Sequence, residues 1–212
     1  MENLKEISIS EILSATGGKL ISGNTDDTIN YVCIDSRKVI KGALFVPLIG
    51  ENTDGHKYIQ NAFENGAKVS FCQPGKLGDT SGGAIIEVDS TLDALQKLAK
   101  YYRSKFNIPF IGVSGSVGKT TTKEMIATVL SENLKVLKTE GNYNGQIGLP
   151  LTIFNLDDTH EAAVLEMGVS KFGEMEKLAD IADIDIAVII KREMDDEKNG
   201  NVLSVCFGLI ET

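Results

Sequence analysis

The chain reads as an α/β protein, with a small N-terminal α/β domain followed by a mostly parallel, helix-covered central sheet. Three observations predict this. From Ile85 onward, short apolar runs alternate with helical segments, the pattern of a parallel sheet covered on both faces. Before that point the helices and strands are shorter and mixed. Between the two lies Pro74–Gly83, rich in Gly, Ser and Asp, the best boundary candidate in the chain.

Taken in order, Ser8 and Glu11 form a capping-box pattern ahead of Ile12 and Leu13, and Gly17 is placed to stop that helix. Tyr31–Ile34 and Ala43–Pro47 read as strands. Asp54-Gly55-His56 reads as a turn. Lys57–Asn65 presents Tyr58, Ile59, Ala62 and Phe63 on one helical face, with Gly66 as the stop. Lys68–Cys72 returns as a strand. After the boundary, Ile85–Val88 reads as a strand, and Ser90 opens a helix with Leu92, Leu95, Leu98 and Tyr102 at helical spacing. Strand Ile108–Val113 leads to helix Lys119–Leu130, and strand Lys135–Leu137 to a helix near Ile147–Leu156. Strand Ala162–Glu166 leads to helix Gly173–Ala182 and then to strand Ile186–Ile190. Lys191–Asn199 is a charged, solvated run, and Val202–Ile210 is an apolar stretch able to add a strand. The expected organisation is residues 1–83, 84–190 and a divergent tail at 191–212.

Composition narrows the partners. The 212 residues carry a formal charge of -9, which disfavours nucleic-acid backbones. Cys33, Cys72 and Cys206 show neither metal-ligand spacing nor an even disulfide framework and read as small buried hydrophobes. The polar opening, Met1–Glu11, is unlike a signal peptide, and no apolar run is long enough to span a bilayer. A cytoplasmic location is expected.

The segment that carries most chemistry is Ile111-Gly-Val-Ser-Gly-Ser-Val-Gly-Lys-Thr-Thr-Thr122. Strand, glycine-rich turn and helix is the context of a phosphate loop (P-loop). Backbone N–H groups of the turn face an anion, and the helix N-terminus adds partial positive charge. Lys119 can reach outer phosphates and the Thr120 hydroxyl can ligate Mg2+. One position departs from the common pattern: Val113 stands where a glycine is usual. Glu166 ends an apolar strand one β-α-β unit later, where a carboxylate can hold Mg2+ beside the phosphates; alone, it would read as a solvent-facing strand end. Lys138–Pro150 is a polar, glycine-rich loop. Its Asn142 and Asn144 are suited equally to a ligand and to turn chemistry. Asp35-Ser36-Arg37 follows a strand. Its arginine can clamp a diphosphate, although a surface salt bridge is the plainer reading. His56 and His160 lack an acidic ligand cluster and read as polar loop residues.

Together these motifs resemble the Mur ligases. Gly-Val-Ser-Gly-Ser-Val-Gly-Lys-Thr-Thr-Thr, Glu-Gly-Asn-Tyr-Asn-Gly-Gln-Ile-Gly-Leu-Pro and Leu-Glu-Met-Gly look like the family's central domain. Asp-Ser-Arg, Gly-Ala-Leu-Phe-Val-Pro-Leu, Asp-Gly-His and Asn-Gly-Ala look like its first domain. The likeness covers Ile7 to about Ile190 and is strongest to the branch that adds D-Ala-D-Ala to UDP-N-acetylmuramoyl-tripeptide. It includes the valine at 113. It implies an ATP- and Mg2+-dependent cytoplasmic ligase of peptidoglycan precursor synthesis, monomeric, with Lys119 and Glu166 as catalytic residues. Gly115, Ser116, Val117, Gly118, Lys119, Thr120, Thr121 and Asn142 would line the nucleotide site, and Thr120 and Glu166 would hold the metal. Ser36, Arg37 and Asn144 would contact the UDP-linked substrate. After Ile190 the family's Asn-Ile-Gly motif, nearby histidine, later lysine and third domain are not recognisable. The expectation is a truncated ligase, inactive by itself, with a nucleotide- or UDP-substrate-binding fragment without turnover, or a neighbouring Mur ligase, as alternatives.

Overall fold

The computed structural model describes residues 4–169, 171, 173–195 and 200–209. The chain divides into two compact units, Met1–Tyr101 and Tyr102–Thr212.

The first unit contains β1 (Ile7–Ser8), α1 (Ile9–Thr16), β2 (Lys19–Ser22), β3 (Thr28–Ile29), β4 (Tyr31–Cys33), β5 (Ala43–Phe45), α2 (Ile59–Glu64), β6 (Ala67–Cys72), β7 (Ala84–Glu87) and α3 (Thr91–Arg103), whose last two residues belong to the second unit. The capping box forms as expected. Ser8 Oγ accepts from the Glu11 N–H, Glu11 Oε2 accepts from the Ser8 N–H at 2.7 Å, and Gly17 ends α1 in the left-handed conformation. The main sheet runs β2-β7-β6-β5-β4, with β4 to β7 parallel and β2 antiparallel at the edge. Beneath it Phe45, Ile59, Ala62, Phe63, Ala67, Cys72 and Ile85 form a core. The helix expected over Lys57–Asn65 is split into a short 3-10 turn, Gly55–Tyr58, and α2. Cys33 and Cys72 are buried free thiols, as the composition suggested, and the side chain of Cys206 lies outside what the structure describes.

The boundary expected at residue 83 lies elsewhere. Strand β7, just beyond it, pairs with β6 and β2, so the first unit continues to Tyr101. Gly83 is no linker residue: a Cβ there would lie 2.2 Å from Cε1 of Phe63, so the chain passes flat against that ring. Local composition marked a loop correctly, but strand pairing decided which unit owned the strand after it.

The second unit contains β8 (Phe110–Gly115), α4 (Lys119–Ser131), β9 (Val136–Lys138), α5 (Gly148–Ile153), β10 (Ala162–Glu166), α6 (Glu174–Ala182), β11 (Ile186–Asp195) and β12 (Gly200–Leu209). The sheet order is β12-β11-β8-β10-β9, all parallel except β12. The apolar tail does add a strand. Strand β11 runs through the break expected after Ile190 and pairs with β12 from Ile186↔Leu209 to Asp195↔Gly200. Residues 196–199, part of the expected charged run, and Ile210 lie outside the described residues. Buried Arg103 donates to the carbonyls of Ala182 and Asp183, capping the C-terminal end of α6, and lies over the Phe110 ring at 4.0 Å. Among the described residues no helix is long and apolar enough to cross a membrane.

Candidate nucleotide and metal site

The phosphate loop is short because β8 is long. The strand continues to Gly115 and α4 begins at Lys119, leaving Ser116–Gly118 as the turn. This explains the valine at 113. It is a fully buried strand residue, packed with Ile111, Ala127, Val164, Val188 and Ile190. Gly115 is required twice over. Its φ is 137°, and a Cβ would stand 1.9 Å from the Ile190 carbonyl oxygen, which also accepts from the Ser116 N–H at 3.1 Å. Gly118 caps α4 in the left-handed conformation and, having no side chain, offers no cap acceptor to the amides of the first helical turn. Lys119 folds back over the turn, its Nζ donating to the Gly115 carbonyl at 2.8 Å. Ser116, Thr120 and Thr121 are exposed around the same turn, and Val117 is half-buried.

Glu166 ends β10 in register with Val113 of β8, and the Met167 N–H donates to the Val113 carbonyl. Its carboxylate is 3% exposed as a residue, yet only one oxygen is satisfied by the protein. Oε1 accepts from Asn144 Nδ2 at 2.8 Å, while Oε2 is buried with no hydrogen-bond partner among the described residues. An unpaired buried carboxylate oxygen is costly and calls for a cation. Among the described residues no group of three or more His, Cys, Asp or Glu could hold a metal. Glu166 Oε2 could take a hard, oxygen-seeking cation whose other ligands are hydroxyl, water or ligand oxygens.

The asparagine loop is tied to this carboxylate. The Asn144 N–H donates to the Asn142 carbonyl and the Asn144 carbonyl accepts from the Gly168 N–H, each at 2.8 Å. Its side-chain amide thus faces Glu166 while Asn142 is exposed. Residue reading left these asparagines open between ligand and turn roles. It missed the Asn144–Glu166 pair and also missed Thr139, whose Oγ1 accepts from the Glu166 N–H at 2.9 Å. No sequence signal marked Thr139.

Ser36 and Arg37 lie in the other unit. Asp35 chelates the guanidinium through Arg37 Nε at 2.9 Å and Nη2 at 2.8 Å, and these hydrogen bonds hold the Asp35 carboxyl at about 2, below the usual range. The Arg37 side chain is 83% exposed. Ser36 is buried, with its carbonyl accepting from Asn65 Nδ2. Both residues line a hollow of about 710 Å3 with Phe45, Leu48, Tyr58 and Asn61. His56 has a structural role instead: its Nδ1 meets Asp54 at 2.6 Å and its Nε2 accepts the Gln73 N–H. His160 Nδ1 likewise accepts the Asp157 N–H.

Residues 28–103 match the Mur ligase family catalytic domain, and residues 113–193 match the Mur ligase middle domain. The UDP-N-acetylmuramoyl-tripeptide–D-alanyl-D-alanine ligase of Bacillus subtilis (strain 168) is 42% identical over 182 residues, which take in 85% of this chain and 40% of that protein. The Synechocystis enzyme of the same name is 45% identical over 77% of this chain and 36% of its own length. Among solved structures, MurF from Acinetobacter baumannii superposes with a TM-score of 0.81 at 30% identity, over 88% of this chain and 41% of that one. MurF from Thermotoga maritima in complex with ADP gives 0.70 at 38% identity, over 76% and 37%. The chain spans about two fifths of the length of these relatives. Since one match falls on each compact unit, and the relatives extend across both, the chain belongs to the Mur ligase family.

Proposed function

We propose that this chain supplies the nucleotide grip and the UDP-substrate grip of an ATP-dependent ligase that adds D-Ala-D-Ala to UDP-N-acetylmuramoyl-tripeptide. The observation that carries the reading is the buried, unpartnered Glu166 Oε2 at the end of the strand beside the phosphate-loop strand. The complex of the Thermotoga maritima relative with ADP supports it.

In this reading the first-turn amides of α4 and the turn Ser116–Gly118 hold the phosphates, with Thr121 and Asn142 lining the nucleotide. Lys119 leaves the Gly115 carbonyl and turns its ammonium to the outer phosphates, where negative charge grows during transfer. Thr120 and Glu166 would hold Mg2+, which, when bound, neutralises charge on the phosphate oxygens. Asn144 keeps Glu166 oriented with Oε2 available. In the first unit Ser36 and Arg37 contact the UDP moiety, Arg37 exchanging one anionic partner, Asp35, for another.

The proposed reaction runs in two steps. The terminal carboxylate of the UDP-linked peptide attacks the γ-phosphorus, giving an acyl phosphate and ADP. The amine of D-Ala-D-Ala then attacks the acyl carbon and phosphate leaves, forming the amide. Closure that positions both substrates accounts for much of such catalysis. Because the chain spans about two fifths of its relatives, the 212 residues by themselves are expected to bind nucleotide without ligating. Calorimetry with ATP, with and without Mg2+, tests the binding. Absence of ATP binding would sink the proposal. D-Ala-D-Ala addition by the isolated chain would overturn the expected lack of turnover.

A further inference from the structure

Lys123 is 1% exposed, lies one helical turn after Lys119 on α4, and has no part in the chemistry above. Its Nζ donates to the Thr139 carbonyl at 2.6 Å and meets Glu124 Oε1 at 2.9 Å. The other oxygen of Glu124 binds Lys138 Nζ at 2.6 Å. A lysine this deeply buried is costly unless its charge is compensated and its protons are used.

What the ammonium holds matters more than how it is held. Thr139 follows the last residue of β9 and is fully buried. Its N–H donates to the Val164 carbonyl, and its Oγ1 accepts from the Glu166 N–H. The hydroxyl thus carries the β9–β10 pairing past the last backbone pair, Val164↔Lys138, to the residue that bears the carboxylate. Without Lys123 the Thr139 carbonyl would lose this charged donor where the strand ends. We infer that Lys123 and Thr139 are positioning residues: they fasten the helix that starts at the phosphate loop to the strand end that presents Glu166, and so set the carboxylate's place relative to the phosphates. This rests on the nucleotide and metal reading proposed above.

The experiment measures ADP affinity of the 212-residue chain by calorimetry, in Mg2+ and in chelator, and Mn2+ affinity of the ADP complex by electron paramagnetic resonance. Lys123→Met and Thr139→Val are expected to reduce the divalent-metal increment by roughly tenfold or more, as loss of outer-shell support does. Metal-free ADP affinity is expected to stay at the wild-type level, and Thr139→Ser to restore the increment. Thr139→Val keeps the side-chain volume and so guards against a mere failure of Lys123→Met to fold. A wild-type increment in both variants overturns the inference. So does a parallel loss of metal-free affinity, or loss of the folded state in both, since either marks a purely structural role. Absence of any metal increment in the wild-type chain would instead remove the Glu166 reading itself, a distinct failure.

Discussion

The two units present their candidate ligand groups in opposite ways. In the second, Glu166 is buried, held at its N–H and at one oxygen, and left with the other oxygen unpaired among the described residues. Gly115 is locked against the Ile190 carbonyl. In the first, Arg37 stands largely in solvent with its charge already matched by Asp35. One site is preorganised and keeps an unmet electrostatic demand. The other is satisfied without ligand and must exchange partners to bind one. Preorganised groups give affinity because no ordering cost remains, whereas exposed pairs contribute little until desolvated.

The largest expected effect comes from breaking the rigid site. Gly115→Ala places a methyl on the Ile190 carbonyl at a φ that L-residues avoid. It should cost on the order of 3 kcal/mol and remove nucleotide binding, read by urea unfolding followed by circular dichroism and by calorimetry. Next, Lys119→Ala should weaken ATP by roughly tenfold to a hundredfold, the worth of a charged hydrogen bond, and leave the unfolding midpoint unchanged. A smaller change is expected for Arg37→Ala: about tenfold or less in affinity for UDP-linked substrate in a titration, with only a slight stability loss at neutral pH, because the pair is exposed. If Arg37→Ala proved as damaging as Lys119→Ala, the contrast between the sites would fail.

The smallest effect is acid sensitivity. Asp35, Asp54 and Glu124 are all held below their ordinary values, first by hydrogen bonds from Arg37, Lys76 and Lys138 respectively. A depressed carboxylate contributes stability above its unfolded pKa of about 4 and loses it as pH falls through the folded value. The melting temperature should be flat from neutrality to about pH 5, then fall, and Asp35→Asn should make that fall slightly shallower below about pH 4.

Much of this was legible in the residues. The Ser8–Glu11 cap, the Gly17 stop, strand Ala162–Glu166 and the turn before Lys119 came out as read, because each depends on neighbours a few residues away. The alternation after Ile85 foretold a parallel sheet, since strands buried on both faces must be apolar throughout. Other features depended on distant partners. Nothing local to Ala84–Glu87 says that it pairs with Lys19–Ser22, or that Gly83 must clear Phe63. Nothing in Val113 says that the strand outruns the usual loop, or that the Ile190 carbonyl will occupy the space beside Gly115.

The sequence by itself determined which groups could grip phosphate, because backbone amides, a lysine and a hydroxyl at a helix start are set by adjacent residues. Only the tertiary structure decided that Glu166 keeps one oxygen unpaired among the described residues, that Asn144 and Thr139 hydrogen-bond to it, and that Lys123 holds Thr139. Those contacts join residues 16 to 27 positions apart, and pairing at that range is settled by sheet register and helix packing, which no short stretch of chain encodes.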